Sequence, residues 1–291
     1  MQRFDLDDFC GIIQDNQITL AYVVPPVALA LAKSPVVDKY NIQSVRVLTS
    51  AAAPAPRDVI REIYRRFGIP IRQAYGLSEA SPGVASQTLD DWNKPIGSTG
   101  RLAPNMSLMT MQDGKEMRDG EEGELWIRGP NIFKGYYNNP EATTAAIDAD
   151  GWYRTGDVGY FDKAGNIFIT DRLKELIKYN GFQVPPAQLE ALLIGHPAVL
   201  DVAVIGVYSE EKATELPRAY IVLVGGHRAD AKMEQDLHEW LNKQVVPYKR
   251  LRGGIRFVEV IPKSAAGKIL RRVLVEQAKD EQTVVLAKAR L

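Results

Sequence analysis

The sequence predicts an α/β chain in two parts: α/β layers that run into a small β-rich subdomain, then a smaller α+β domain. Three observations predict it. Strand-like and helix-like stretches alternate from Asp5 to Ala74. From Gly97 the texture changes to short apolar stretches punctuated by Gly, Asp and Pro. Beyond Asp171 the alternation returns, so the expected domains are residues 1–171 and 172–291.

Taken in order, residues 5–33 read as a helix, a short strand over Thr19–Val24 and a second helix. Pro25-Pro26 stops that strand and opens the helix, because proline is tolerated in a first turn. Ser44–Thr49 is a strand, and Ser50-Ala51-Ala52-Ala53-Pro54 is a tight turn of small residues that leads into a helix through Arg66. Ile69–Ala74 is the next strand, and this alternation implies parallel pairing. Met106–Met111, Glu124–Arg128 and Asn166–Thr170 read as strands of the β-rich part, with turns at Asp113-Gly114 and Asp119-Gly120. Further on, Gln188–Leu193 and Lys232–Lys243 are helices, and Val199–Val207, Ala219–Val224 and Gly254–Val260 are strands.

Composition narrows the function classes. With 291 residues, 45% of them hydrophobic, the chain can build one large core or two smaller ones. Lys plus Arg and Asp plus Glu balance at 36 each, so bulk charge gives no reason to expect nucleic acid or an anionic membrane as partner. No apolar run reaches transmembrane length, and Met1-Gln-Arg-Phe-Asp5 is not a signal peptide. The single cysteine, Cys10, excludes an intramolecular disulfide and suits a reducing intracellular compartment. It sits in an apolar helical stretch, which predicts a small buried hydrophobe. The three histidines are scattered without metal-ligand spacing. Ala289-Arg290-Leu291 follows the small-basic-Leu pattern of a peroxisomal signal, and reads equally as a frayed helix end.

Four motifs carry chemistry. Gln73-Ala74-Tyr75-Gly76-Leu77-Ser78-Glu79 follows a strand, where Ser78 can donate to phosphate, Glu79 can hold Mg²⁺ and Tyr75 can stack on a purine. In Tyr153-Arg154-Thr155-Gly156-Asp157 a carboxylate beside a glycine turn suits ribose hydroxyls. Residues 171–181 place Arg172, Lys174 and Lys178 at a spacing that no single helical face accommodates. In Pro262-Lys263-Ser264-Ala265-Ala266-Gly267-Lys268 a flexible small-residue loop lets a lysine approach a charged oxygen. Singly, each also reads as an ordinary loop, β-turn or basic surface.

Together with Val23-Val24-Pro25-Pro26, Ser50–Pro54, GELWIRGPNIFKGYYNNPEAT at 123–143 and DRLKELIKYNGFQVPPAQLE at 171–190, these motifs stand in one order. In that order the chain resembles the adenylate-forming superfamily, and within it the 4-coumarate–CoA ligase-like acyl-CoA ligases, from about Met1 to Arg272. The resemblance implies a partial large domain followed by a small mobile lid. The implied activity is activation of a carboxylic acid by ATP to an acyl-adenylate, then transfer to coenzyme A with release of AMP. By position, Ala52, Ala53, Gln73, Ala74, Tyr75 and Gly76 would line the nucleotide pocket. Ser78 would contact the α-phosphate, Glu79 the Mg²⁺, and Asp157, assisted by Arg172, the ribose. Lys174 would be the hinge, and Lys268 would bridge carboxylate and α-phosphate. Lys178, Asn180 and Gly181 would face nucleotide or CoA.

The sequence also departs from that family. Its Ser/Thr/Gly-rich triphosphate loop lies upstream of the Val-Pro-Pro segment and has no match here, so the chain is expected to be a fragment, a mispredicted gene start or a shortened paralogue. Uncovered sheet edges and apolar faces would follow. Ala74 stands where many relatives have Gly, and Asn180 where plant enzymes have Lys. A luciferase-like enzyme and a non-catalytic paralogue that binds AMP or a partner stay open as alternatives.

Overall fold

The computed structural model describes residues 4–264 and 267–289, with side chains described to Glu281. Of the Ala289-Arg290-Leu291 pattern, Arg290 and Leu291 lie outside the described residues. The chain divides into two compact units, one ending at Thr170 and one beginning at Asp171.

The first unit opens with α1 (Leu6–Asn16), β1 (Leu20–Val23), α2 (Pro25–Lys33), β2 (Val47–Ser50), α3 (Arg57–Phe67) and β3 (Ile71–Gly76). Asp5 caps α1 by accepting from the Asp8 amide at 3.0 Å, and Asp7 and Asp8 suit its positive N-terminal end. Strands β1, β2 and β3 pair in parallel, as the alternation predicts. The three helices bury Cys10, Ile13, Ala28, Leu31, Ile60 and Ile63 in one core with Leu48 and Ile71. Arg66, in the last turn of α3, donates to the carbonyls of Leu31, Ala32 and Ser34 and pairs with Asp38 at 2.6 Å. It thereby satisfies the unpartnered C-terminal end of α2. β1 lies at the sheet edge and exposes Leu20 and Tyr22 on one face, Tyr22 by 73%.

The same sheet continues through β4 (Gly83–Ser86) and β5 (Arg101–Leu102), both antiparallel. A second sheet is ordered β10-β9-β8-β6-β7, from β6 (Ser107–Gln112), β7 (Lys115–Glu116), β8 (Gly123–Arg128), β9 (Tyr153–Phe161) and β10 (Ile167–Arg172), with α4 (Pro140–Ala146) between β8 and β9. The two sheets share a core that includes Tyr75, Val84, Leu125, Ile127, Tyr153 and Ile167. Segment 98–102 stitches them together through Thr99 N to Ile167 O at 2.8 Å and Ile167 N to Gly100 O at 2.9 Å.

The second unit contains a hairpin, β11 (Ile177–Tyr179) and β12 (Phe182–Val184), then α5 (Pro186–Ile194), β13 (Val199–Ser209), β14 (Thr214–Leu223), α6 (Ala231–Asn242), β15 (Ile255–Phe257) and α7 (Arg271–Ala289). β13 and β14 pair antiparallel, and β14 and β15 pair in parallel. Ala203, Ile205 and Val207 on β13 meet Leu274 and Ala278 of α7. The alternating Val202 and Val204 face the other way.

The structure corrects the reading of the Tyr153–Asp157 segment. It is not a glycine turn but part of a nine-residue strand, and Gly156, at φ +71°, sits where the β8–β9 register shifts. That is a bulge, which re-aims a side chain without ending pairing. Strands β4, β5, β7, the β11–β12 hairpin, α4 and α7 were not legible as separate elements. The strand expected over Gly254–Val260 shortens to Ile255–Phe257, with Pro262 close behind.

Candidate active site

The site grows out of the C-terminal ends of β2 and β3. Beyond β2 the chain enters the small-residue loop, where Ala52 takes φ +77° and both Ala52 and Ala53 are exposed. Gln73 holds that loop. Its Oε1 accepts from the Ala55 amide at 2.8 Å, its Nε2 donates to Ser98 O at 3.0 Å, and its own amide donates to Gln87 Oε1 at 2.8 Å. Buried Gln73 thus fixes backbone on two sides of the strand end. Gln87 shares this work, and no sequence signal distinguished it from other polar residues.

Ala74 pairs with Ser86 of β4 and is half-buried. Gly76 is required sterically, because a Cβ there would collide with the Pro82 carbonyl, which accepts from the Leu77 amide at 2.9 Å. Ser78 and Glu79 lie on a short 3-10 turn, Ser78–Ala80, with Ser78 exposed and Glu79 half-buried. Asn131 clamps this turn from the loop after β8, donating to Ala80 O at 2.6 Å and Gly83 O at 2.8 Å.

Tyr75 and Asp157, 82 positions apart, meet here: the Tyr75 hydroxyl donates to Asp157 Oδ2 at 2.7 Å in a buried environment. The bulge makes this possible. Thr155 Oγ1 donates to Leu125 O and accepts from the Asp157 amide, and the Gly156 amide donates to Glu124 Oε1. Nearby, the Tyr136 hydroxyl donates to Glu79 Oε1 at 3.0 Å, and Phe133 packs edge-on against both Tyr136 and Tyr153. Burial raises the Tyr153 phenol well above its ordinary pKa, helped by a hydrogen bond with Tyr136 and by the negative charges of Glu79 and Asp157. Tyr153 therefore stays protonated. Tyr136 and Tyr153 both lie within the quoted motifs, yet nothing in the pattern separated Tyr136 from Tyr137, which is 93% exposed.

The donor set suits a nucleotide. Buried Asp157 offers a carboxylate for vicinal hydroxyls, and the exposed Ala52–Ala53 turn gives a base room to approach. Among the described residues no group of three or more His, Cys, Asp or Glu could cage a metal. Glu79 fits Mg²⁺ in the manner that ion prefers, with one or two carboxylates completed by substrate phosphates and water.

The remaining predicted residues belong to the second unit. Arg172 ends β10 and Lys174 lies in the turn that follows, both exposed, and the Glu175 and Leu176 amides donate to Arg172 O. Asn180 and Gly181 form the two-residue turn of the β11–β12 hairpin, at φ +46° and +82°. This is the Asn-Gly signature of a tight hairpin. The Asn180 amide donates to Thr214 Oγ1 at 2.8 Å, and Lys178 lies on β11 with its side chain exposed. Lys268 is exposed on a second hairpin closed by the Lys263–Ile269 bridge, by Ser264 N to Lys268 O at 2.9 Å and by Gly267 N to Ser264 O at 2.8 Å. The structure thus gathers Tyr75, Glu79 and Asp157 in one unit and Arg172, Lys174, Lys178, Asn180, Gly181 and Lys268 in the other.

Two family models match stretches of the chain, one in each unit. Residues 1–137 match the model of the AMP-binding enzyme family, and residues 188–268 match that of the AMP-binding enzyme C-terminal domain. The chain is 43% identical over 278 residues to the probable 4-coumarate–CoA ligase 2 of Dictyostelium discoideum, covering 94% of this chain and 49% of that protein. It is 42% identical over 280 residues to 4-coumarate:CoA ligase 1 of Petunia hybrida, covering 94% and 51%. Among solved structures, ATP-bound MatB from Rhodopseudomonas palustris superposes with a TM-score of 0.85 at 30% identity, covering 96% of this chain and 54% of that one. The anthranilate CoA ligase AuaEII in complex with anthranoyl-AMP superposes with a TM-score of 0.87 at 26% identity, covering 94% and 52%. The chain spans about half the length of the curated relatives it matches.

Proposed function

The chain belongs to the AMP-binding enzyme family, and from that premise we propose that it serves an ATP-dependent acyl-CoA ligase. A carboxylate oxygen attacks the α-phosphorus of ATP and pyrophosphate leaves. The thiol of coenzyme A then attacks the acyl carbonyl, and AMP leaves with the electron pair of the broken acyl–oxygen bond. The observation that carries this reading is the buried Tyr75–Asp157 contact beside the turn bearing Ser78 and Glu79.

In this reading Asp157 accepts from the ribose hydroxyls. Its pairing with Tyr75 fixes the carboxylate before the nucleotide arrives, so little reorganisation remains. Ala52, Ala53 and Ala74 flank the base, Gln73 and Gly76 hold the walls, and Ser78 donates to the α-phosphate. Glu79 would help hold Mg²⁺, which when bound would supply charge to neutralise phosphate oxygens. Lys268 offsets the repulsion between the two anions as the acid attacks, which is usually the largest catalytic contribution in such chemistry. Arg172 assists at the ribose, Lys174 lies at the hinge, and Lys178 with the Asn180-Gly181 turn serves the coenzyme A step.

The test is AMP release against a panel of aromatic, cinnamic-type and medium-chain acids, with and without coenzyme A. Acid-dependent AMP release accelerated by coenzyme A supports the ligase. Saturable AMP binding without turnover of any acid contradicts it and favours a non-catalytic AMP binder.

A further inference from the structure

A partly buried ionic cluster lies within the second unit, built on side chains that the reading above does not use. Its centre is Arg271, which opens α7 three positions beyond Lys268. Nη2 donates to both carboxylate oxygens of Glu190 on α5, each at 2.8 Å. Nη1 pairs with Glu175 Oε2 at 2.8 Å, and Nε donates to Val204 O on β13 at 3.3 Å. Glu190 Oε1 also accepts from the Val204 amide at 2.8 Å. Glu175 belongs to the turn that follows Arg172 and carries Lys174, immediately past the boundary between the units. Asp171 heads that turn, accepting from the Arg172 amide and from the Ala187 amide in the first turn of α5.

One side chain thus touches the boundary turn, α5 and β13, and lies next to the hairpin that bears Lys268. The contrast with its neighbour is informative. Arg272 pairs with Glu276 at 3.6 Å, both exposed, a kind of contact worth little. Arg271 is 18% exposed and uses its planar fork on two carboxylates at once, a geometry that a lysine ammonium cannot reproduce. The Lys268 hairpin is also held at Lys263, which pairs with Asp201 at 2.5 Å, and at Ile269, which packs against the β13–α7 core. Arg271 anchors the chain two positions beyond Ile269.

We infer that Arg271 is a positioning residue: it ties the Lys268 hairpin to Glu175, the residue directly past Lys174, so that the hairpin and the start of the segment beyond the hinge move as one piece. This rests on the reading of Lys268 as the charge-offsetting group and extends it, because the placement of that ammonium is set by Arg271 and not by the hairpin alone. Misplacement of a reacting group by about 1 Å costs on the order of 10²-fold in rate.

Hydrogen–deuterium exchange on the 291-residue chain tests the inference without reference to activity. Arg271→Gln should raise exchange at least tenfold in both residues 263–270 and residues 172–177, with β13 and β14 still protected. Arg271→Lys should restore protection of the hairpin through Glu190 but leave the boundary turn loose. Glu175→Gln should loosen the turn alone. If Arg271→Gln unfolds the unit, the last two variants decide. Unchanged exchange in Glu175→Gln, or full restoration of both segments by Arg271→Lys, overturns the inference. In the AMP-release assay Arg271→Lys should lower kcat while KM for the acid and for ATP holds. Failure of the unsubstituted chain to release AMP would count against the ligase reading and leave the exchange result standing.

Discussion

The same cluster makes the stability of the second unit depend on pH, and the direction follows from burial. Desolvation pushes the Asp171 carboxyl from 3.8 up to about 6, against the opposing pull of two backbone amides and Arg271. Desolvation likewise pushes Glu190 from 4.5 up to about 7, against Arg271 and the Val204 amide. Glu175 adds negative charge that raises both. Folded-state values above the unfolded ones mean that the folded unit keeps protons that the unfolded chain has shed. The contribution of these groups is therefore most favourable below about pH 4 and is lost as pH rises through about 7. While one group holds one extra proton the slope is about 1.4 kcal/mol per pH unit. Urea unfolding between pH 4 and 8 reads it. Trp240, which donates to Leu192 O at 3.0 Å, reports the second unit once Trp92, Trp126 and Trp152 are replaced by phenylalanine. Glu190→Gln and Asp171→Asn will each lower absolute stability, since each puts an amide donor against another donor. The decisive quantity is the difference from the unsubstituted protein, which should shift in favour of each variant by roughly 1 kcal/mol per pH unit, between about pH 4 and 6 for Asp171→Asn and between about pH 5 and 7 for Glu190→Gln. A difference that is flat with pH in both variants would refute the burial argument.

Three further outcomes follow from other parts of the molecule. Gly181→Ala should destabilise the β11–β12 hairpin by about 1 kcal/mol, because φ +82° suits glycine, while Asn180→Gly should be nearly neutral; exchange at Tyr179 and Phe182 reads both. Lys268→Ala should slow acyl-adenylate formation by at least ~10²-fold and thioester formation from supplied adenylate by less; equal slowing of both steps would argue against its assigned role. The Cys10 thiol, fully buried and pushed up to about 11 by desolvation and by Asp7, should not react with a thiol reagent until the first unit unfolds.

Much of this architecture was legible in the sequence because local chemistry marked it. Pro25-Pro26 punctuates β1 and α2, and the alternation through Ile71 forecasts the parallel β1–β2–β3 arrangement. What escaped was set by tertiary context. Gly156 reads as a turn in isolation, and only the register of β8 makes it a bulge. Asn180-Gly181 carries a strong hairpin signature, hidden because its flanking strands are three residues each and lack alternation. At the site, Tyr75, Glu79 and Asp157 stood out as chemistry-bearing groups. Tyr136, Tyr153 and Gln87 did not, since a phenol or an amide is recognisable as support only when its partner is known. Nothing in the sequence separates Arg271 from its neighbour Arg272; the contacts with Glu175 and Glu190 do.

The claim on which the account turns is that the Tyr75–Asp157 corner holds the AMP moiety. Calorimetric titration of AMP into the chain tests it most directly, alongside Asp157→Ala and Lys268→Ala. The account predicts saturable one-to-one binding, weakened at least ~10-fold by Asp157→Ala through loss of charged hydrogen bonds to the ribose, and little changed by Lys268→Ala. Affinity that is the same with and without the Asp157 carboxylate would contradict it.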